Sequence, residues 1–512
     1  MLLTDPRVRA AYAEGAGIYR IIPAAVAIPT STADIVSLVR GATESRRALI
    51  PRGAGSGMPG GNVGAGVIVD LSAGFGELRV DPQRRIARAG ASVTWAAVNE
   101  AAKPYGLRLP PDPSSGAFAT SGGMVSTNAA GPRTVRYGSV RGWVEGLEVV
   151  EADGGVRRLT RGGETGERFT LTPDTRHLIS SHFPKTRKNS SGYALDRFAE
   201  TGDELDLFVG AEGTLGIVTS VEWRLDPIPA DIAGVAVGFA DLEAVTEAVP
   251  YLVSLRPSAV ELLDETLLRL LPDAPNVACL LLVEFERESA AAARGTVGDA
   301  VRGLKHSAVH VETAVNRKGL EQLWNIRRQA SPALARLPPA QRSLQVIEDG
   351  CVPLAALGSY VTGLREAAAR CGIPVVIFGH AGDGHVHVNA LPDTTRAGWP
   401  AALHELFAAV TDLLQRLGGV PAGEHGVGRL RAGVLERFYG ADVTRLFADV
   451  KRAYDPLSIF NPGVIIPASD WSPIAALKVG DDAAAIPEDI ATRLREVERN
   501  AAWATPKLQL AR

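Results

Sequence analysis

The sequence predicts an α+β protein with two principal domains, and three observations support this prediction. Residues 20–226 alternate short β-rich runs with stretches of helical periodicity. The segment Asp226–Pro229 then carries two prolines, which favours a linker. From 230 to about 455, apolar runs of strand length alternate with amphipathic helices, the pattern of a sheet packed against helices.

The elements of the first half follow from their hydrophobic periods. Val67–Leu71 and Leu147–Glu151 are short, valine-rich apolar runs and predict strands. Thr32–Ser45 predicts a helix, because Ile35 and Val39 fall on one face at helical spacing.

The second half repeats strands and helices in another order. Val235–Phe239 and Cys279–Phe285 predict strands, and Leu354–Cys371 predicts an amphipathic helix. This order favours an antiparallel sheet covered on one face by helices. After Ile466 the regular alternation ends, and Glu488–Ala502 predicts one further amphipathic helix.

The composition excludes several classes of protein. Hydrophobic residues make up 46% of the chain and charged residues 22%, which is typical of a globular protein and not of a disordered chain or a membrane bundle. A net charge of -3 leaves no broad electrostatic footprint for nucleic acid, so we expect no nucleic-acid partner.

Three cysteines without C-x-x-C spacing predict reduced core thiols. The N-terminus lacks an apolar signal segment, so we expect a cytoplasmic protein, with peripheral membrane attachment left open.

The run Pro51–Gly61 (PRGAGSGMPGG) contains five glycines after an apolar segment. Glycines permit close approach of the main chain, so consecutive N–H groups can converge on a phosphate. The spacing fits neither the P-loop nor a strict dinucleotide-binding motif. A flexible surface loop is the alternative interpretation.

Two further glycine-rich segments recur in order along the chain. Residues 109–131 read LPPDPSSG and then ATSGGMVSTNAAG, and residues 210–218 read GAEGTLGIV. Together the three segments resemble the FAD-linked oxidoreductases of the vanillyl-alcohol oxidase and p-cresol methylhydroxylase type. Within that family they resemble the D-lactate, glycolate and D-2-hydroxyglutarate dehydrogenase branch, over residues 20 to about 465.

The resemblance implies a two-subdomain FAD-binding domain of the p-cresol methylhydroxylase (PCMH) type and a ferredoxin-like α+β substrate cap domain. The implied limits are 1–227 for the FAD-binding domain and 228–455 for the cap. Residues 456–512 would return to the flavin domain and end in a helical tail. The residues implied to hold FAD are Arg52, Gly53, Ala54, Gly55, Ser56, Pro111, Asp112, Ser114, Gly122, Gly123, Asn128, Gly131, Glu212, Gly216, Ile217 and Asn461.

Some members of the family attach the flavin covalently through a histidine of the first loop. Residues 51–64 contain no histidine, and Ser56 and Met58 stand in its place. We therefore expect FAD to be bound non-covalently.

Four of the nine histidines lie in two short segments, FGHAGDGHVHVN (378–389) and GEHG (423–426). In an extended segment His385, His387 and Asn389 face one way, so their polar groups converge. Two imidazoles and a carboxylate with open positions suit Zn²⁺, Mn²⁺ or Fe²⁺. Buried histidines with ordinary hydrogen bonds are the alternative.

The resemblance extends to this segment, which is similar to the family motif G-H-x-G-D-G-N-x-H. It implies that His380, His387 and Glu424 are metal ligands and that His425 is the catalytic base. His385 occupies the position where the family usually has asparagine. The histidine is therefore expected to act as a fourth ligand or to alter a substrate contact.

The remaining site residues also come from the resemblance. Trp324–Arg327 is similar to a W-x-x-R segment whose arginine binds the substrate carboxylate, which implies this role for Arg327, with Arg328 as its rival. Lys188, in KNSSGY, would meet a substrate or flavin oxygen, with a solvated lysine as the alternative. Relatives that act on dicarboxylates carry a lysine near Ile347, which argues against D-2-hydroxyglutarate.

We therefore expect an FAD-dependent 2-hydroxy-acid dehydrogenase, with hydride transfer from C2 to flavin N5 and metal-assisted deprotonation of the hydroxyl. The substrate would be a D-2-hydroxy acid such as D-lactate or glycolate, and the electron acceptor a quinone, a cytochrome or an electron-transfer flavoprotein. A homodimer or an iron–sulfur partner subunit is the expected assembly. The alternatives are a metal-free alcohol or alditol oxidase of the same fold, and a flavin-carrying subunit of a glycolate-oxidase-like complex.

Overall fold

The strands form four sheets in the computed structural model, which describes residues 2–163, 166 and 168–512. The strands before residue 230 are β1 Ala25–Ala27, β2 Leu49–Arg52, β3 Val67–Asp70, β4 Leu78–Asp81, β5 Ile86–Gly90, β6 Leu107–Arg108, β7 Val144–Val150, β8 Val156–Thr160, β9 Ile217–Arg224 and β10 Asp226–Pro227. The later strands are β11 Asp231–Phe239, β12 Ala259–Asp264, β13 Cys279–Arg287, β14 Ala308–Ala314, β15 Val375–Gly379 and β16 His387–Ala390.

Helices surround these sheets. Those of the first half are α1 Pro6–Ala11, α2 Thr32–Ser45, α3 Trp95–Ala102, α4 Ser121–Thr127, α5 Thr134–Tyr137, α6 Pro173–His182, α7 Leu195–Thr201 and α8 Leu205–Phe208. Those that follow are α9 Leu242–Ser254, α10 Glu265–Leu268, α11 Ala290–Leu304, α12 Arg317–Arg328, α13 Ala330–Ala335, α14 Leu357–Arg370, α15 Trp399–Arg416, α16 Leu435–Tyr454, α17 Glu488–Arg499 and α18 Lys507–Leu510.

The first half contains a small parallel sheet and a larger antiparallel one. The parallel sheet has the order β1-β3-β2, and the five-stranded antiparallel sheet has the order β4-β5-β9-β7-β8. The two predicted strands are confirmed as β3 and β7, and the predicted helix is α2. Ser31 caps α2 and forms a capping box with Asp34, which explains why the helix begins where the periodicity predicts.

The second half is organised around a six-stranded sheet, in which all pairs are antiparallel, with the order β14-β11-β13-β12-β15-β16. The expectation of helices on one face alone is wrong. Helices α9, α11, α14 and α15 pack on one face, and α10, α12 and α13 pack on the other. The second set was missed because its helices are short or strongly polar, and α12 buries only three side chains.

The last part of the chain returns to the first half. Helix α16 packs against α6 through residues such as Tyr439 and Phe447, which contact Phe183 edge-on. Beyond it, α17 and α18 both contact α1 at the N-terminus. The domain limits at 227 and 455 stay a prediction. No helix among the described residues is long and apolar enough to cross a membrane.

Candidate active site

A large cavity separates the two halves of the protein. Its volume is about 1640 Å³, above the range of roughly 300–1,000 Å³ that is usual for small-molecule sites. The glycine loop after β2, residues 53–61, and the N-terminal end of α4 form one side of the cavity. Residues from α12 and β16 line the other side. Residues 478–503 of the tail supply a further wall. The cavity therefore has room for a dinucleotide and a second small molecule.

The glycine loop is held open from behind by a buried arginine. Arg52, 2% exposed, donates hydrogen bonds from its guanidinium to the carbonyl oxygens of Tyr12 and Glu14, at 3.2 and 2.8 Å. Gly55 has a φ of 80°, and a Cβ there would lie 2.4 Å from Nη2 of Arg52. The loop thus needs glycine at this position both for its backbone conformation and for the close approach of the guanidinium.

The structure places most, but not all, of the expected FAD residues on the cavity wall. Those that line it are Arg52, Gly53, Ala54, Gly55, Ser56, Asp112, Ser114, Gly122, Gly123, Glu212 and Gly216. Five others, Pro111, Asn128, Gly131, Ile217 and Asn461, lie behind the wall. Asn461 shows why such residues matter: its amide donates to the carbonyls of Gly61 and Glu212, at 2.8 and 2.9 Å, and joins two lining segments.

The carboxylate of Glu212 links the first half of the chain to the turn that follows Glu424. Its Oε1 accepts a hydrogen bond of 2.6 Å from the N–H of Val427, and its Oε2 accepts one of 2.9 Å from that of Gly428. Burial raises the pKa of Glu212 to about 7, although these two N–H groups oppose the shift. The resemblance implies that this residue helps to hold FAD, and its carboxylate contacts the turn just after Glu424.

His380, His387 and Glu424 converge as the sequence predicts. Nε2 of His380 lies 3.1 Å from Oε1 of Glu424 and 3.3 Å from Nε2 of His387. Nε2 of His387 is 3.2 Å from the same carboxylate oxygen. All three residues are buried. The distances bring two imidazole nitrogens and one carboxylate oxygen around a single point.

Oxygen acceptors hold the far side of both imidazoles. Nδ1 of His380 lies 2.5 Å from Oε1 of Glu261, and Nδ1 of His387 lies 3.2 Å from the carbonyl oxygen of Glu348. Metal-binding histidines usually have such a partner on the second ring nitrogen. Burial raises the pKa of Glu261, but the charge of His380 and that of Arg327 outweigh it and lower the pKa to about 2.

Arg327 lies beside this cluster, at the cavity. Its Nε donates to Oε2 of Glu261 at 2.8 Å, and its guanidinium lies over the ring of Phe378, 4.6 Å from the centroid. Among the described residues its terminal nitrogens have no hydrogen-bond partner, and the residue lines the cavity. Glu261 therefore joins Arg327 to His380, which are far apart in the sequence.

Lys188 is buried and does not line the cavity. Its ammonium lies 2.6 Å from Oε2 of Glu424 and 3.8 Å from Asp383. Burial raises the pKa of Glu424, but Lys188 and His380 outweigh it and lower that pKa well below its usual range. Lys188 is thus placed to balance the charge of Glu424, and the contact with a substrate or flavin oxygen stays a prediction.

His425 is the most accessible histidine of the site, with 30% of its side chain exposed. Its Nδ1 lies 2.6 Å from Oε2 of Glu348, and Arg431 donates to the other oxygen of that carboxylate at 2.5 Å. Burial lowers the pKa of His425, but Glu348 and Asp349 outweigh it and raise the pKa to about 10. The carboxylate of Glu348 is therefore already neutralised by protein groups, which disfavours a second cation there.

Two features of the site differ from the sequence-based expectation. Ile347 packs in the core and does not line the cavity, whereas Gln345 does, so Ile347 is not evidence about the substrate. Glu261 was missed because nothing in its local sequence marks it. The cross-strand pairing of β12 with β15, Leu262 opposite Gly379, brings it beside His380.

Comparisons with known proteins agree with this architecture. The model of the FAD binding domain matches residues 23–160, and that of the C-terminal domain of FAD linked oxidases matches residues 228–465. The chain is 31% identical over 450 residues to the D-lactate dehydrogenase of Archaeoglobus fulgidus, which covers 86% of this chain and 90% of that protein. This chain belongs to the family of FAD-linked oxidases.

Further relatives of this FAD-linked oxidase lie in the same branch. It is 30% identical over 455 residues to the glycolate oxidase subunit GlcD of Bacillus subtilis, covering 87% of this chain and 89% of that one. An alkyldihydroxyacetonephosphate synthase shares its fold with a TM-score of 0.63 at 16% identity, covering 90% of this chain and 83% of that one. The resemblance and the fold class predicted from the sequence are confirmed, and the protein is an FAD-dependent oxidoreductase.

Proposed function

We propose that this FAD-linked oxidase oxidises a small D-2-hydroxy acid, such as D-lactate or glycolate, to the 2-oxo acid. One observation carries the proposal: Arg327 and the histidine–carboxylate cluster border the cavity whose opposite wall is the glycine loop. A 2-hydroxy acid offers a carboxylate for the guanidinium and an adjacent hydroxyl for the cluster. The names of two relatives, D-lactate dehydrogenase and glycolate oxidase subunit, denote substrates of this class.

His380, His387 and Glu424 are the proposed ligands of a divalent cation, Zn²⁺, Mn²⁺ or Fe²⁺. Their donor atoms lie 3.1–3.3 Å apart. Ligands at about 2.0–2.1 Å from a tetrahedral ion are roughly 3.3 Å from one another, so this donor set fits with little rearrangement. The cation, when bound, would act as a Lewis acid that lowers the pKa of the substrate hydroxyl.

Arg327 is the proposed partner of the substrate carboxylate. Its Nε is fixed by Glu261, so the two terminal nitrogens are oriented before the substrate arrives. The stacking on Phe378 restrains the guanidinium plane further. Glu261 binds both Arg327 and His380, so a carboxylate held by Arg327 would lie near the histidine cluster.

His425 is the proposed base for the hydroxyl proton. The bond between its Nδ1 and Glu348 orients the ring and leaves Nε2 as the reacting atom. Glu348 and Asp349 hold the pKa of this imidazole at about 10, so the ring must lose its own proton before it can accept one from the hydroxyl.

FAD, when bound along the glycine loop, would accept the hydride from C2 of the substrate at flavin N5. We propose that it is held without a covalent bond, since residues 51–64 offer no histidine. Electrons would then pass to a quinone, a cytochrome or an electron-transfer flavoprotein. Because one relative is named a glycolate oxidase subunit, we also propose that this chain can act with a partner subunit.

Anaerobic titration of the flavin absorbance with D- and L-lactate, glycolate and an alditol tests this function. We expect D-lactate or glycolate to bleach the flavin, and EDTA to slow the bleaching until Mn²⁺ or Zn²⁺ is added back. Bleaching by the alditol alone, with no effect of EDTA, would favour the metal-free alcohol oxidase and refute the proposal. Turnover with an artificial acceptor such as DCPIP then separates a stand-alone enzyme from a subunit that is inert alone.

A further inference from the structure

His385 lies in the middle of the histidine motif and has no role in the function proposed above. Its side chain is fully buried. Nε2 lies 2.9 Å from Oδ1 of Asp349, whereas Nδ1 has no hydrogen-bond partner among the described residues. A buried polar atom left without a partner costs roughly 1–3 kcal/mol, so the position of Nδ1 needs an explanation.

We propose that Nδ1 of His385 is a fourth protein ligand of the divalent cation. The inference rests on the metal site proposed above and extends it by one residue. His380, His385, His387 and Glu424 each offer a ligand atom, and these four atoms all lie within 4.8 Å of one another. The ring centroid of His385 is 5.3 Å from that of His380 and 4.7 Å from that of His387.

The three imidazoles of the cluster share one pattern of contacts. In each, one ring nitrogen lies against an oxygen acceptor, which is Glu261 for His380, the Glu348 carbonyl for His387 and Asp349 for His385. In His380 and His387 the other nitrogen is directed at the common centre. Because an acceptor on one nitrogen fixes the proton there, the other keeps its lone pair for a cation. His385 differs only in presenting Nδ1 instead of Nε2.

Neighbouring groups are arranged to hold the His385 ring in this orientation. Asp349 is itself fixed, since its carboxylate accepts hydrogen bonds from the N–H groups of Glu424 and His425. On another side, a Cβ at position 423 would lie 2.8 Å from Cδ2 and Nε2 of the imidazole. Gly423 therefore leaves room for the imidazole of His385.

A fourth protein ligand changes which cation suits the site. Four protein ligands complete the coordination of a tetrahedral ion such as Zn²⁺ and leave no position for substrate. A cation that also took up the hydroxyl oxygen of a 2-hydroxy acid would need more than four positions. Such coordination favours Mn²⁺ or Fe²⁺ over Zn²⁺ in the active enzyme.

X-ray absorption spectroscopy of the FAD-loaded protein, with Mn²⁺ or Zn²⁺ as the only added metal, tests the inference. We expect three imidazoles around the metal in the natural protein and two in His385→Asn. We also expect metal affinity, measured by competition with a chelator, to fall at least about tenfold in that variant. His404→Asn, on the exposed side of α15, is the matched control and should change neither the imidazole count nor the affinity.

The outcomes separate this inference from the proposed function. Two imidazoles in the natural protein, with unchanged affinity in His385→Asn, would overturn the role of His385 and leave the metal site intact. No stoichiometric binding of either cation by the natural protein would overturn the metal site itself. If His385→Asn does not fold, as judged by FAD retention and thermal unfolding, the imidazole count of the natural protein decides.

Discussion

Replacing Glu261 with glutamine removes one charge that serves two functional groups. Glu261 is fully buried, and its two oxygens bind Nδ1 of His380 at 2.5 Å and Nε of Arg327 at 2.8 Å. Substitution of a carboxylate behind a metal-bound histidine typically weakens metal binding or activity by roughly 10- to 100-fold. The amide can still accept one hydrogen bond, so we expect about tenfold weaker metal binding rather than its complete loss.

The same substitution is expected to raise KM for the hydroxy acid, because the guanidinium of Arg327 loses the charge that orients it. Hydrogen bonds to charged groups contribute about 1.5–3 kcal/mol, so an increase of roughly tenfold or more is expected. The assay pairs chelator competition for metal affinity with steady-state kinetics at saturating metal.

Glu286→Gln is the matched control for Glu261→Gln. Glu286 is equally buried and is paired with Arg108 at 2.9 Å, away from the cluster. We expect this control to lower thermal stability without changing metal affinity. If Glu261→Gln keeps both metal affinity and KM within twofold of the natural protein while remaining folded, the reasoning about Glu261 is refuted.

Arg327→Met should lower kcat/KM for the hydroxy acid by roughly 10- to 100-fold with FAD retained, since it removes a charged partner of the carboxylate. The control Arg328→Met removes an exposed neighbour and should keep kcat/KM within twofold of the natural protein. Equal losses in the two variants would contradict the role of Arg327. Lys507→Met tests a buried ammonium whose pKa burial and the charge of Arg52 lower to about 7. Because the folded pKa lies below the ordinary value of 10.5, charge on Lys507 opposes folding most below pH 7, and this cost declines as the pH rises from 7 to 10.5. The gain in thermal stability of Lys507→Met should therefore be larger at pH 6 than at pH 9.5, with exposed Lys305→Met showing no such trend; a gain independent of pH would contradict the assigned pKa.

Local sequence patterns predict the parts of the site that lie close together in the chain. The glycine loop at 53–61 and the spacing of His380 and His387 are such patterns, and the structure brings the loop to the cavity and the histidines to one point. The strands β3 and β7 and the helix α2 are predicted for the same reason, since their hydrophobic periods are local. The metal-ligand roles themselves stay predictions.

The groups around these residues depend on tertiary contacts that no local pattern encodes. Glu261 reaches His380 through the pairing of β12 with β15, and Lys188 reaches Glu424 across 236 positions of sequence. The sequence pattern also fails to predict that the polar helix α12 covers the sheet. This helix packs there because three of its side chains are buried, although most of its residues are polar. Residue roles that come from charge pairing at a distance therefore emerge only from the fold.

The tail affects how shortened forms of this protein behave. The matched family region ends at residue 465, yet Lys478, Gly480, Glu498 and Trp503 form part of the cavity wall. A chain cut at the family boundary would keep every proposed metal ligand and lose this part of the cavity wall. Reduced flavin would then be open to dioxygen from that side, so a truncation chosen by family limits would favour wasteful oxidation over transfer of electrons to the proper acceptor.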